Sequence, residues 1–147
     1  MKRIALLIIS TIIISYFSFA QIRSIPSVVT DAFKTKFPDA AKVSWKDNIS
    51  NFEADFIKDS YSYEVKFNSK GEWLETAKKI EFKDLNEDIK DGFQKSKFND
   101  WEVRGVKEFN EKGKEIVYRI LVRKSDVEKK YLFFNKKGQL IKDTLTI

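Results

Sequence analysis

Two matched series of landmarks, alternating strands after each series and a repeated Asn-x-x-Gly turn predict an α+β fold. It is read as two tandem helix-plus-antiparallel-sheet repeats, with the helices packed on one face of the sheet. The first series runs Ile25-Pro26-Ser27-Val28-Val29-Thr30-Asp31-Ala32-Phe33 and closes with Phe37-Pro38-Asp39. The second runs Leu85-Asn86-Glu87-Asp88-Ile89-Lys90-Asp91-Gly92-Phe93 and closes with Phe98-Asn99-Asp100. Further on, Phe67-Asn68-Ser69-Lys70-Gly71 is echoed by Phe134-Asn135-Lys136-Lys137-Gly138 in the same order. The expected organisation is a signal peptide at residues 1–20, a first repeat at 21–80 and a second at 81–147.

The amino terminus comes first. Lys2 and Arg3 precede an apolar run over residues 4–17, and Ser18 and Ala20 supply the small-x-small pattern that a signal peptidase needs before Gln21. The alternative is an uncleaved anchor, but this run is shorter than the roughly 18 residues expected of a membrane-crossing helix. Cleavage would leave a periplasmic or secreted chain of 127 residues, with membrane contact expected only through the signal peptide before it is cut. The sequence has no Cys, so stability rests on packing, for which 11 of the 13 Phe, 4 of the 5 Tyr and all 3 Trp lie after residue 20.

Each expected repeat opens with a helix. In the first, Ile25, Val29, Ala32, Phe33 and Phe37 share one face at helical spacing, Pro26 suits a helix start and Pro38 a helix stop. In the second, Leu85, Ile89 and Phe93 make the stripe, and Asp84 with Glu87 suggests a capping box. Val43 and Trp45 mark a short strand after the first helix. Phe52-Glu53-Ala54-Asp55-Phe56 and Tyr61-Ser62-Tyr63-Glu64-Val65-Lys66-Phe67 then alternate with period two, as strands of a half-buried sheet do. Residues 68–71 supply a turn in which Gly71 is free to take positive φ. In the second repeat Tyr118, Ile120 and Val122 match Phe52, Ala54 and Phe56, while Leu132 and Phe134 match Val65 and Phe67.

This register divides the side chains between two faces. The outer face of the first repeat carries Glu53, Asp55, Glu64 and Lys66, and that of the second carries Val117, Arg119, Leu121, Arg123, Tyr131 and Phe133. Aromatic and Arg side chains dominate binding hot spots, so Arg119, Arg123, Tyr131 and Phe133 are the candidate partner-binding residues. Two other readings stand beside this one: that face packs on the first repeat, or the register slips by one and the faces exchange.

Catalysis is disfavoured by composition. There is no His to exchange protons near neutral pH, no Cys nucleophile and no Ser-x-x-Lys spacing. Glu53, Asp55 and Glu64 could form a carboxylate pair of the glycosidase kind or a calcium-binding group, but an exposed strand face is ordinarily acidic and basic by turns, and no EF-hand spacing accompanies them. No catalytic residue, metal site or cofactor is therefore assigned, and these three carboxylates remain an alternative ligand-binding set. Subtracting Lys2 and Arg3 lowers the net charge from +6 to +4. The remaining charges are interleaved rather than gathered in a stripe, which argues against nucleic acid as a partner.

The sequence resembles the PepSY-like family of exported bacterial proteins, also described as similar to the beta-lactamase inhibitory protein. The resemblance rests on the Ile25-Pro26-x-x-Val29 opening, Val43-Ser44-Trp45-Lys46, Phe52-Glu53-Ala54-Asp55-Phe56, Tyr63-Glu64-Val65-Lys66-Phe67 and the Asn-x-x-Gly turn. The second half departs from the pattern at Asn86, Gly92 and Asn99, where the first has Pro26, Ala32 and Pro38. What the resemblance implies is helices on an antiparallel sheet, a periplasmic address, and binding or inhibition of another envelope or secreted protein without catalysis.

Overall fold

The computed structural model describes residues 24–146; the signal peptide expected at residues 1–20 lies outside them. Helix α1 (Ser27–Lys36) leads into strands β1 (Ala41–Asp47), β2 (Phe52–Lys58), β3 (Tyr61–Phe67) and β4 (Trp73–Ile80). A 3-10 turn (Phe82–Asp84) and helix α2 (Glu87–Gln94) follow, and then β5 (Glu102–Glu111), β6 (Val117–Arg123), β7 (Lys129–Asn135) and β8 (Leu140–Leu145). Among the described residues these strands form a single sheet, antiparallel throughout and ordered in space as in sequence.

That architecture corrects the expected α+β fold of two tandem helix-plus-sheet repeats. β4 and β5, assigned to different repeats, are joined by a ladder running from Glu75 opposite Glu111 to Ile80 opposite Val106. The result is one continuous eight-stranded sheet carrying two short helices. The physical reason lies in the backbone. Two separate four-stranded sheets would each present an additional open edge of unpaired N–H and C=O groups, and pairing β4 with β5 satisfies both rows at once.

Residues directly opposite in an antiparallel ladder point to the same face, so the registers sort the side chains. Phe52, Phe67, Val65 and Ala54 lie on one face with Val106, Ile120, Leu132 and Phe134, and all eight are buried. Val29 and Phe33 of α1 pack on the first four, and Ile89 and Phe93 of α2 on the second four. Both helices thus cover the same face. Phe33 is central to its cluster, meeting Trp45 and Phe56 edge-on at 5.2 Å each. Such tilted aromatic pairs add to the stabilisation from burial alone. No polar residue is buried among those described, so the core is wholly apolar.

The helix ends show how local sequence sets the elements. α1 begins after Pro26, whose carbonyl accepts from the N–H groups of Val29 and Thr30, and it stops at Phe37, which leaves helical geometry (φ −132°) before Pro38. At α2 the expected cap is displaced. Asp84 instead ends the 3-10 turn, where its carboxylate accepts from the N–H of Glu81, and Asn86 caps α2 by accepting from the N–H of Ile89 at 2.9 Å. Leu85 is extended between them and buries its side chain, which separates the two turns.

The turns that follow β3 and β7 hold the helices in place. Asn68 Oδ1 accepts from the N–H groups of Lys70 and Glu72, and Asn135 Oδ1 likewise from Lys137 and Gln139. Gly71 and Gly138 take positive φ in these turns (78° and 72°). Gly138 also lies against α2. A Cβ there would sit 1.9 Å from the Asp88 carbonyl oxygen, while a Cβ on Gly92 would sit 1.9 Å from the Gly138 oxygen. Helix and turn therefore meet backbone to backbone, which accounts for Gly92 standing where the first half has Ala32.

Candidate functional site on the open sheet face

The face of the sheet opposite the helices is not covered by any other element among the described residues. The expected register is the observed one, since Ile120, Val122, Leu132 and Phe134 are buried and Arg119, Leu121, Tyr131 and Phe133 lie on the open face. The second-half face is continuous with that of the first half rather than packed on it.

Of the four residues expected to bind a partner, the structure brings three together. Arg119 and Phe133 are directly opposite in the β6–β7 ladder. The Arg119 guanidinium is held between two aromatic rings, 4.3 Å from the centroid of Tyr131 and 4.7 Å from that of Phe109. A cation stacked in this way keeps its charge and loses much of its rotamer freedom, so it is ordered before any partner arrives. Arg123 stands apart at the end of β6. Its Nε and Nη2 donate to Glu102 Oε2 at 3.0 and 2.6 Å and its Nη1 to Asp126 at 3.1 Å. Arg104, and then Arg123, hold the Glu102 carboxyl below its usual range, and Glu102 in turn raises the Arg123 guanidinium. Arg123 is engaged within the protein, whereas Arg119 makes no ion pair among the described residues.

Two concavities flank Arg119. One, of about 170 Å³, has Gly105, Leu121 and Tyr131 among its walls. The other, of about 500 Å³, has Phe109, Val117 and Phe133 among its walls. Phe109 and Gly105 belong to β5, which the pattern of residues does not reveal. A register shift between Val103 and Gly105 breaks the alternation, and charged residues fall on both faces of the strand. The legible signal was Val103, Val106 and Phe109 recurring every third residue, which is not the period of a strand.

The alternative set lies toward the other end of the sheet. Asp55 and Glu64 are directly opposite across β2 and β3, and Glu53 is two residues from Asp55 on the same side. Each carboxylate already has a lysine. Lys46 bonds Asp55 at 2.6 Å and Glu53 at 3.1 Å, and Lys107 bonds Glu64. The Lys46 ammonium is raised above its usual range, first by Asp55 and then by Glu53. Among the described residues no group of three or more His, Cys, Asp or Glu is placed to hold a metal ion.

Comparison with known proteins bears on the fold and the family. Residues 50–142 match the family described as "Putative beta-lactamase-inhibitor-like, PepSY-like". Comparison with curated proteins gives no match. Among solved structures, a DUF2874 family protein from Bacteroides ovatus superposes with a TM-score of 0.79 at 24% identity, over 83% of this chain and 88% of that one. A protein described as a "putative periplasmic" one from Bacteroides eggerthii gives 0.79 at 22% identity, over 83% and 89%. A BLIP-like protein from Bacteroides fragilis gives 0.79 at 22% identity, over 84% and 87%. These likenesses establish the fold, and the match over most of the sheet establishes the kinship: the chain belongs to the PepSY-like, beta-lactamase-inhibitor-like family.

Proposed function

We propose that this chain is an exported, non-catalytic protein-binding module, inhibitory or scaffolding in effect, that meets its partner with the open face of β5 to β7. The observation that carries this reading is the Arg119 guanidinium stacked between Phe109 and Tyr131 on an uncovered face, with Phe133 beside it. An ordered Arg with aromatic neighbours is the composition of an interface hot spot, and preorganisation lowers the entropy lost on docking. The family's inhibitor-like description and the neighbour described as periplasmic support a binding role in the cell envelope. The basic and apolar start of the sequence supports export.

Crosslinking in the native envelope tests it, comparing wild type with a chain carrying Arg119→Ala, Tyr131→Ala and Phe133→Ala. Loss of a specific crosslinked species from the variant, with its secondary structure intact, is the expected result. Recovery of the same species from both removes this face from consideration.

A further inference from the structure

A row of cations crosses the open face. In the β4–β5 ladder Lys79 is directly opposite Lys107, and in the β5–β6 ladder Lys107 is directly opposite Arg119. Adjacent strands are about 4.8 Å apart, so three like charges stand side by side on neighbouring strands. Like charges directly opposite in a sheet destabilise it. One of the three is relieved, since Lys107 bonds Glu64, but Lys79 and Arg119 have no carboxylate partner among the described residues. Elsewhere on this face Lys46 is paired with Asp55 and Glu53 and Lys66 with Glu75, while Lys142 lies over the Phe133 ring. The row is thus an electrostatic cost only partly relieved, in which three cations on adjacent strands share one carboxylate.

The same three residues border the smaller concavity. Its floor is Gly105, over which nothing lies within 4 Å of where a Cβ would be, and its remaining walls include Leu121 and Tyr131. None of its lining residues is acidic. A strand glycine with empty space above it lets another chain approach the backbone closely. Cations on the rim and an apolar wall suit a group that is negative at its tip and apolar along its stem.

Resting on the reading of this face as a protein-binding surface, we propose that the notch bordered by Lys79, Lys107 and Arg119 receives an acidic side chain of an extended segment of the protein partner. An Asp or Glu carboxylate meets the unpaired cations, and apolar residues two positions away, which share its side of the extended segment, lie against Leu121 and Tyr131. Charge complementarity at a partly desolvated notch fixes the register of the partner and speeds its docking.

The test uses a short fluorescein-labelled peptide in which Glu has Val and Tyr two positions to either side and Ser between them, and the same peptide with Gln for Glu, measured by anisotropy against the full chain. Expected are saturable binding of the Glu peptide that weakens as salt is added, and at least about tenfold weaker binding of the Gln peptide. Lys79→Gln and the double change Lys79→Gln with Lys107→Gln should weaken the Glu peptide by roughly tenfold or more, and Lys79→Gln alone should raise the melting temperature because it relieves the row. Equal binding of the two peptides overturns the proposal, as does equal binding by wild type and Lys79→Gln. So does binding to phosphatidylglycerol vesicles in place of the peptide. These variants retain Arg119, Tyr131 and Phe133. A crosslinked species lost with the aromatic variant but kept with the lysine variants therefore sinks the acidic notch and leaves the binding face standing.

Discussion

Replacing Gly92 with Ala sets two physical rules against each other. In the interior of a helix, Ala is worth about 1 kcal/mol more than Gly, so propensity predicts that α2 gains stability. The packing predicts the reverse. The new Cβ would lie 1.9 Å from the carbonyl oxygen of Gly138, 2.8 Å from its carbon and 3.1 Å from its Cα. Relief requires helix and turn to separate by about 1 Å, because real Cβ atoms do not approach other heavy atoms within 3.0 Å. The turn cannot yield easily. It is tied by the two bonds to Asn135 Oδ1, and the Asn86 side chain donates to the Lys136 carbonyl at 3.2 Å from the helix side. Overpacking of this kind costs about 1–3 kcal/mol, and more where backbone must shift, so the expected net loss is about 1–2 kcal/mol. Urea denaturation followed by circular dichroism reads this as a lower midpoint at unchanged slope. Ala at Gly105, where nothing lies within 4 Å, serves as the control and should leave the midpoint within about 0.5 kcal/mol of wild type or raise it. A midpoint that rises for Gly92→Ala would refute the backbone-to-backbone contact.

Asn86→Ala removes the α2 cap and the bond to Lys136, and should lower stability by about 1–2 kcal/mol in the same assay. Asp143 is held below its usual range by Lys130, and Glu102 by Arg104 and Arg123, so both contribute stability above the unfolded carboxylate values of about 4 that is lost as pH falls through the depressed folded values. Asp143→Asn with Glu102→Gln should accordingly flatten the acid limb of the melting-temperature profile below about pH 4. Tyr118 is raised, first by burial and then by Glu108, so its contribution is intact below about pH 10 and disappears as pH rises through the folded value; Tyr118→Phe should flatten the alkaline limb. Millimolar calcium should leave the melting temperature of wild type unchanged, because Glu53 and Asp55 are satisfied by Lys46 and Glu64 by Lys107, and a clear rise would restore them as a cation site.

The strands read correctly in advance were those whose apolar residues alternate without interruption. Phe52, Ala54 and Phe56, and likewise Ile120 and Val122, carry their burial in a local pattern, and that pattern also put Arg119, Tyr131 and Phe133 on the opposite face. β5 escaped because the shift at Gly105 interrupts the alternation, and Phe109, one of the two rings that hold Arg119, escaped with it. The cap of α2 was misplaced by two residues because Asp84 and Asn86 both suit that position, and only the extended Leu85 between them decides which carries it.

By itself, the order of amino acids determined which positions turn inward, where the chain bends at Gly71 and Gly138, and that no histidine or cysteine chemistry is at hand. Tertiary structure alone decided that β4 joins β5, and with that join came one sheet instead of two and the alignment of Lys79, Lys107 and Arg119. The reason is that face preference is written residue by residue in hydrophobic period, whereas pairing between distant strands is made by backbone groups that are alike at every position. Which strands meet, and in what register, is settled only when the whole sheet closes over its core.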